Sequence, residues 1–370
     1  MTRLREKLRV STPNLNKDSR NVTKWKIDQI MSQLPTIRTI NMPAHLSHVT
    51  AEEVEKNLRN FFRDKEGFSP NTLKSLMSGA KLYANWCVDN GYNWLPVDPD
   101  NCREYLIWMK DVKGNSINTV RTRLAMLNML MKVSGLPPVS IESVVSLGMK
   151  KLNRIAATNG ERVGQAIPFH LADLQVADRL YKQLGTEAAL RNRAFLYVAY
   201  NTMLRMSEIG RLRVRDLQIN GDNVTLFVAY TKTNTVTETI KQLSNKTVNA
   251  LSDWLRVSGL SAHPDAMMFS QVFKNGKVRI ADKPMSTVAI EQIYKDTWQL
   301  MGKDDEQANK GRYAQWSGHS CRVGAAQDLN LTGASLPQIM AEGGWKNTET
   351  VMRYMRNSGS IVSAVTEMMK

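Results

Sequence analysis

The sequence predicts a mainly α-helical protein of two domains, with a small antiparallel β-sheet in the C-terminal one. Three observations lead there. From about Thr50 onward apolar residues recur at helical spacing, between proline-containing starts and glycine stops. The stretch Val224 to Tyr230 instead has the β-branched and aromatic content of a strand. The length of 370 residues suffices for about two separate cores.

Residues 1–45 read as an arm: polar, opening with Arg3, Arg5, Lys7 and Arg9, and broken by Pro13, Pro35 and Pro43. Helical spacing is weak there, around Val22 to Leu34. The arm is either a contact for a polyanion or a solvated mobile tail. A helical domain follows over residues 46–156, with helices predicted for Thr50 to Asp64, Pro70 to Asn90, Pro99 to Lys113, Ser116 to Ser134 and Ile141 to Ala157. Ser69-Pro70 supplies a cap and a first-turn proline, and Gly91, Gly114 and Gly135 supply stops. Leu73, Leu76, Met77, Ala80, Leu82, Tyr83 and Trp86 form an apolar stripe, which makes the domain a bundle. Asn118 to Arg123 is either a basic, hydrogen-bonding face suited to a major groove or an ordinary solvated surface. Residues 157–165 are polar with two glycines and read as a linker.

The second domain, 166–370, opens with helices at Leu171 to Leu184 and Glu187 to Asn201. A hairpin pairs Val224 to Tyr230 with a strand around Thr237 to Leu243, and Lys232 lies at its turn. Further helices are predicted at Val248 to Val257, Ser286 to Met301, Ser317 to Leu331, Leu336 to Glu342, Thr348 to Asn357 and Ile361 to Met369.

Charge narrows the function. Fifty Lys and Arg against 34 Asp and Glu, net +16, point to a polyanionic partner, nucleic acid first. An anionic membrane is the competing partner, but no apolar run of about 18 residues and no signal-peptide or lipidation pattern is present. Cys87, Cys102 and Cys321 are odd in number and lack a C-x-x-C pair, so neither a disulfide framework nor a zinc finger is indicated. A soluble protein of a reducing compartment is expected.

Each candidate site residue has a plain reading when taken singly. Arg205 and Glu208 make an ordinary i,i+3 ion pair. Lys232 is a turn lysine, and His319 with Arg322 is a capped helix with an exposed charge. Trp345 covers a core edge, and Tyr354 is a half-buried tyrosine with a satisfied hydroxyl. Taken together, Arg205, Lys232, His319-x-x-Arg322, Trp345 and Tyr354, in that order, resemble the tyrosine site-specific recombinases of the phage integrase family. The segments Tyr200-Asn-Thr-Met-Leu-Arg-Met-Ser-Glu-Ile, Trp316-Ser-Gly-His-Ser-Cys-Arg-Val-Gly-Ala-Ala and Ile339-Met-Ala-Glu-Gly-Gly-Trp carry the resemblance, which extends from about residue 46 to the C-terminus. The arm lies outside it.

The resemblance implies a C-shaped DNA clamp and a reaction needing neither metal nor cofactor. Tyr354 would be the nucleophile, Arg205, Arg322, His319 and Trp345 donors to the phosphate, Lys232 the general acid, and Glu208 a residue orienting the basic groups. It implies Lys74, Asn118, Thr122, Arg123, Lys274, Glu291 and Arg312 as DNA contacts. It also implies a homotetramer on two duplex sites, docking by the tail helix, no accessory proteins, and a cytoplasmic, bacterial or phage- or plasmid-encoded setting. Val288 stands where a base-reading arginine is expected and Asn118 where a lysine is, so a different target of two inverted arms around a spacer is implied. Cys321, beside Arg322, is either an oxidation-sensitive thiol or a buried inert one. Two other readings are a catalytically inactive DNA-binding regulator of the same fold, and a topoisomerase or telomere-resolvase relative.

Overall fold

The computed structural model describes residues 49–161, 164–229, 239–303, 314–356 and 368–369. The arm 1–45, Lys232, Arg312 and most of the predicted tail helix lie outside the described residues. The chain divides into two compact units, residues 1–163 and 164–370.

The first unit is built from α1 (Ala51–Arg63), α2 (Pro70–Asp89), α3 (Pro99–Asp111), α4 (Ile117–Val133) and α5 (Ser143–Thr158). Local chemistry sets four of the starts. Thr50 and Glu53 form a reciprocal capping box on α1, and Ser69, Asp98 and Ser116 each accept a backbone N–H of the first turn of α2, α3 and α4. The buried stripes meet in an aromatic centre, where Tyr83 and Tyr105 lie edge to face at 5.0 Å and Tyr105 stacks on Trp108 at 5.9 Å. Each such buried side chain contributes about 1.5–3 kcal/mol. After α5, Gly160 adopts φ 68° and Glu161 returns to the bundle, accepting from Lys110 at 2.5 Å and from the Ile117 amide at 2.6 Å. The front of the predicted linker is therefore tied to this unit.

The second unit contains α6 (Leu171–Leu184), α7 (Glu187–Thr202), the one-turn α8 (Met206–Ile209), β1 (Leu217–Asn220), β2 (Asn223–Val228) and β3 (Thr239–Gln242). It continues with α9 (Asn245–Ser258), α10 (Thr287–Leu300), α11 (Ser320–Leu331), α12 (Leu336–Gly343) and α13 (Thr348–Arg356). The sheet is antiparallel in the order β1-β2-β3. The strand β1 was not predicted. It is short and largely exposed, so it shows no alternation, yet the Gly221-Asp222 turn between the paired Asn220 and Asn223 is a hairpin signal.

Buried α7 is the central element. Its Arg193, 3% exposed, bonds Asp178 of α6 at 2.6 Å and Asp253 of α9 at 2.8 Å, pinning three helices. Trp316 packs edge to face on Phe169 at 4.6 Å and on Trp298 at 5.0 Å, and its indole N–H donates to the Pro168 carbonyl. Asp328 of α11 accepts from the Leu171 amide, from His170 Nδ1 and from the Tyr200 hydroxyl, joining α6, α7 and α11. These bonds outweigh the cost of its burial and hold the Asp328 carboxyl below its ordinary range. Among the described residues, no helix is long and apolar enough to cross a membrane.

One close approach fixes α11 against the chain entering α6. The Phe169 amide donates to the Ser320 carbonyl, and a Cβ placed on Gly324 would lie 1.9 Å from the Phe169 carbonyl oxygen. A backbone atom cannot yield as a side-chain tip can. Gly324→Ala is therefore expected to lower stability by about 3 kcal/mol or more in urea unfolding, and a loss under about 0.5 kcal/mol would contradict this packing.

Candidate active site

The site forms where α7, α8, α11, α12 and α13 meet, over a small apolar cluster of Met203, Ala325, Ala326, Ile339, Trp345, Val351 and Met355. Arg322 projects from the first turn of α11 and is 3% exposed. One guanidinium nitrogen donates to the Met203 carbonyl, and the other terminal nitrogen donates to the Gly343 carbonyl at 2.6 Å. These carbonyls lie at the C-terminal ends of α7 and α12, where helix dipoles favour a cation. Met203 provides its carbonyl from a left-handed conformation, φ 53°, which is uncommon outside glycine. Gly344 does the same turn work after α12 at φ 60°.

The Trp345 ring covers the guanidinium, its centroid 4.3 Å from the Arg322 Cζ. Gly343 makes room for that ring, since a Cβ there would meet it at 2.0 Å. Trp345 also contacts Tyr354 of α13, ring centroids 5.6 Å apart and planes tilted by 52°. Burial, then the repulsion of Arg205, pulls the Arg322 guanidinium down to about 10, while Tyr354 and Glu208 oppose that shift. The group is thus charged at neutral pH, with a second cation close enough to be felt.

Arg205 precedes α8. Its amide donates to Glu208 Oε2 at 2.8 Å and its guanidinium to Oε1 at 3.0 Å, so Glu208 caps the helix and aims the arginine with one carboxylate. Glu208 is buried, whereas 30% of the Arg205 side chain remains accessible. The i,i+3 pairing expected from sequence is present.

His319 departs from expectation. The helix begins at Ser320 rather than Ser317, and His319 is its N-cap at φ −104°, ψ −9°, its carbonyl accepting from the Val323 amide. The preceding segment turns instead: the Ser317 amide donates to Ser320 Oγ, and Gly318 lacks the Cβ that would strike Met206 Sδ at 2.1 Å. His319 is half-buried at this turn. Arg205, Glu208, Arg322, Trp345 and Tyr354 come together in the structure; Lys232 is outside the described residues.

The residues implied as DNA contacts occupy both units. Lys74 is exposed on α2, one turn before Ser78, whose hydroxyl accepts from Arg123 of α4 at 3.2 Å, so these side chains share one composite face. On α4 the Thr122 hydroxyl donates to the Asn118 carbonyl, and Asn118 Oδ1 accepts from Arg121. In the second unit Lys274 is exposed in a turn, Glu291 is half-buried on α10, and Val288 is 78% exposed on the first turn of α10.

Comparison with known proteins says what such a site serves. The chain belongs to the phage integrase family, the tyrosine site-specific recombinases: the model of the Phage integrase family matches residues 172–360. It is 38% identical to the Recombinase cre of Escherichia phage P1 over 345 residues, 92% of this chain and 99% of that one. Among solved structures, the fold is similar to XerH site-specific recombinase bound to palindromic difH substrate, with TM-score 0.56, 12% identity and 94% of each chain covered. It is similar as well to the Tn1549 transposon integrase in complex with circular intermediate DNA, with TM-score 0.56 and 15% identity over 86% of this chain and 98% of that one.

Several supporting residues were not singled out from sequence. Met203 and Gly343 act through backbone carbonyls, Asp328 accepts a backbone N–H, and Gln165 and Gln327 donate their side-chain amides to a backbone carbonyl; only the Gly343-Gly344-Trp345 run carried a signal. The thiols are settled by burial. Cys321 is 2% exposed and burial pushes it up to about 12, so it is an inert core thiol. Cys87 and Cys102 are buried and raised for the same reason. A disulfide reagent such as DTNB at pH 8 is expected to find none of the 3 cysteines in the native protein and all of them after denaturation. A fast-reacting thiol in the folded state would contradict that.

Proposed function

We propose that the chain recombines duplex DNA at a specific site, cutting and rejoining strands through a 3′-phosphotyrosine intermediate and a Holliday junction. The supporting observation is the buried Arg322 beside Arg205, with Tyr354 against the same Trp345 ring that covers Arg322. Two neighbouring guanidinium groups disfavour each other until an anion lies between them, and paired charge-assisted donors suit the non-bridging oxygens of a phosphodiester. Charge on those oxygens grows in the pentacoordinate transition state, so donors fixed in advance favour the transition state over the substrate.

In this reading the Tyr354 oxygen attacks phosphorus, the bond to the 5′ oxygen breaks, and Lys232 supplies the proton that the departing oxygen takes up. Reversal with a 5′ hydroxyl from another strand completes the exchange. The phosphotyrosine keeps the bond energy, so ATP is not required. Arg205, with Glu208 aiming it, His319 and Trp345 complete the donor set. Positive surroundings favour the phenolate of a group that ordinarily ionises near 10.

Residues 46–156 would serve as a core DNA-binding domain and 166–370 as the catalytic domain, closing on DNA as a clamp. Lys74, Asn118, Thr122 and Arg123 on one side, and Lys274, Glu291 and Arg312 on the other, would meet a target of inverted arms around a spacer. Val288 cannot make the paired hydrogen bonds by which an arginine reads guanine, which favours a target other than that of the phage P1 relative. Four subunits on two sites, without accessory proteins and in the cytoplasm of a bacterial host, complete the reading.

Covalent capture tests it. Duplexes with randomised arms are incubated with protein, denatured, and searched for attached DNA. Wild type is expected to yield adducts of one sequence family, and Tyr354→Phe none while still binding those duplexes. Specific binding without adducts in either protein, with no rejoined strands, would favour a DNA-binding regulator. Truncation after Asn357 is expected to leave binding to a single arm largely intact and weaken cooperative assembly on a full site. Unchanged cooperativity would contradict docking by the tail.

A further inference from the structure

The carbonyl of Tyr354 is held by two glutamines from distant parts of the chain. Gln327 Nε2 donates to it at 2.8 Å and Gln165 Nε2 at 3.1 Å. Gln327 is on α11, one turn beyond Arg322, and is 1% exposed. Gln165 lies in the segment that leads into α6. A carbonyl can only accept, so an amide nitrogen must face it in both cases.

The position of this bond in the helix matters. Helix α13 is described as far as Arg356, and the Tyr354 carbonyl lies in the last turn of that described part. A carbonyl oxygen has two acceptor lone pairs, enough for both glutamine donors. Both bonds are made to the main chain of Tyr354. The clamp thus fixes the main chain of Tyr354 and leaves rotation about its side-chain bonds to bring the oxygen into line. Because Gln327 and Arg322 share the rigid α11, one element sets both the phosphate-facing guanidinium and the backbone of the attacking residue.

We propose that Gln165 and Gln327 are positioning residues for the nucleophile, a two-donor clamp on the Tyr354 carbonyl that sets the distance from Tyr354 to the arginine site. The inference rests on Tyr354 being the nucleophile. Loss of the clamp lets the end of α13 shift, and a misplacement near 1 Å costs a strand-transfer step on the order of 100-fold. DNA binding draws on other surfaces and is spared.

The test uses a duplex recovered by covalent capture, nicked beside the cleavage position so that the freed fragment diffuses away and adducts accumulate. Adduct formation is timed for wild type, Tyr354→Phe, Gln327→Ala, Gln165→Ala and Gln327→Glu, with duplex affinity and thermal unfolding measured alongside. Gln327→Ala is expected to form adducts about 10- to 100-fold more slowly at saturating protein, with affinity unchanged. Gln165→Ala, at a half-buried position, should show a smaller loss in the same direction.

Gln327→Glu is the discriminating variant. Its ionised carboxylate cannot donate to a carbonyl, whereas its neutral carboxyl can. Burial and that hydrogen bond both favour the neutral form and raise its pKa. Its rate, divided by that of wild type at each pH, should therefore climb as pH falls, which a merely space-filling role would not produce. If Gln327→Ala does not fold, Gln165→Ala and Gln327→Glu carry the test. Wild-type rates for both of these at every pH overturn the clamp and leave the nucleophile standing. Adducts from Tyr354→Phe overturn the nucleophile itself, and the clamp with it.

Discussion

A charged group at 3% exposure has to be compensated from all sides, and the second unit is laid out around that requirement at Arg322. An unpartnered ion in a protein interior costs several kcal/mol, so burial without partners is not an option. The structure supplies no carboxylate directly to this guanidinium among the described hydrogen bonds. It supplies two helix ends, through the carbonyls of Met203 and Gly343, and an aromatic face, through Trp345. A carboxylate would neutralise the arginine and compete with a bound phosphate. Carbonyl dipoles and a ring hold it in place and leave its charge available.

The backbone features follow from this. For α7 to present its last carbonyl inward, the chain must turn left-handed at Met203, a conformation a side-chain-bearing residue rarely adopts. For α12 to do likewise, the helix must stop at Gly343 and reverse at Gly344, and Gly343 must carry no Cβ for Trp345 to fold over. Arg205 is treated differently. It is partly accessible and is paired with Glu208, which also caps α8. One arginine is thus fixed by dipoles at the floor of the site, and the other is aimed by a carboxylate at its edge.

Much of this was legible in the sequence, for identifiable reasons. The five helices of the first unit could be outlined because their stripes run at helical period and four of their starts carry Ser, Thr or Asp caps. A candidate site set could be named because polar and aromatic residues recur in an order that resembles a known family, and five of its members, Arg205, Glu208, Arg322, Trp345 and Tyr354, lie near one another in the structure. Two local errors have physical causes. The strand β1 was missed because an edge strand exposed on nearly every residue has no alternation to read. His319 was put inside the helix because Ser-Gly-His-Ser looks like a capped start, whereas the tight fit of Gly318 against Met206 holds those residues in a turn. The carbonyl acceptors were beyond reach altogether, since every residue has a carbonyl and only the fold decides which ones converge.

That difference bears on how such a chain can keep its chemistry while its target changes. Arg322 is bound into a buried network set by main-chain groups of two helices and the Trp345 ring, so alteration at one point disturbs several contacts. On the proposed reading, the positions facing DNA are of the opposite kind. Val288 is 78% exposed at the start of α10, and Lys74 and Lys274 are likewise exposed. Side chains there can be exchanged with little effect on packing, typically within about 0.5 kcal/mol of stability. Base recognition is thereby uncoupled from the stability of the phosphate site.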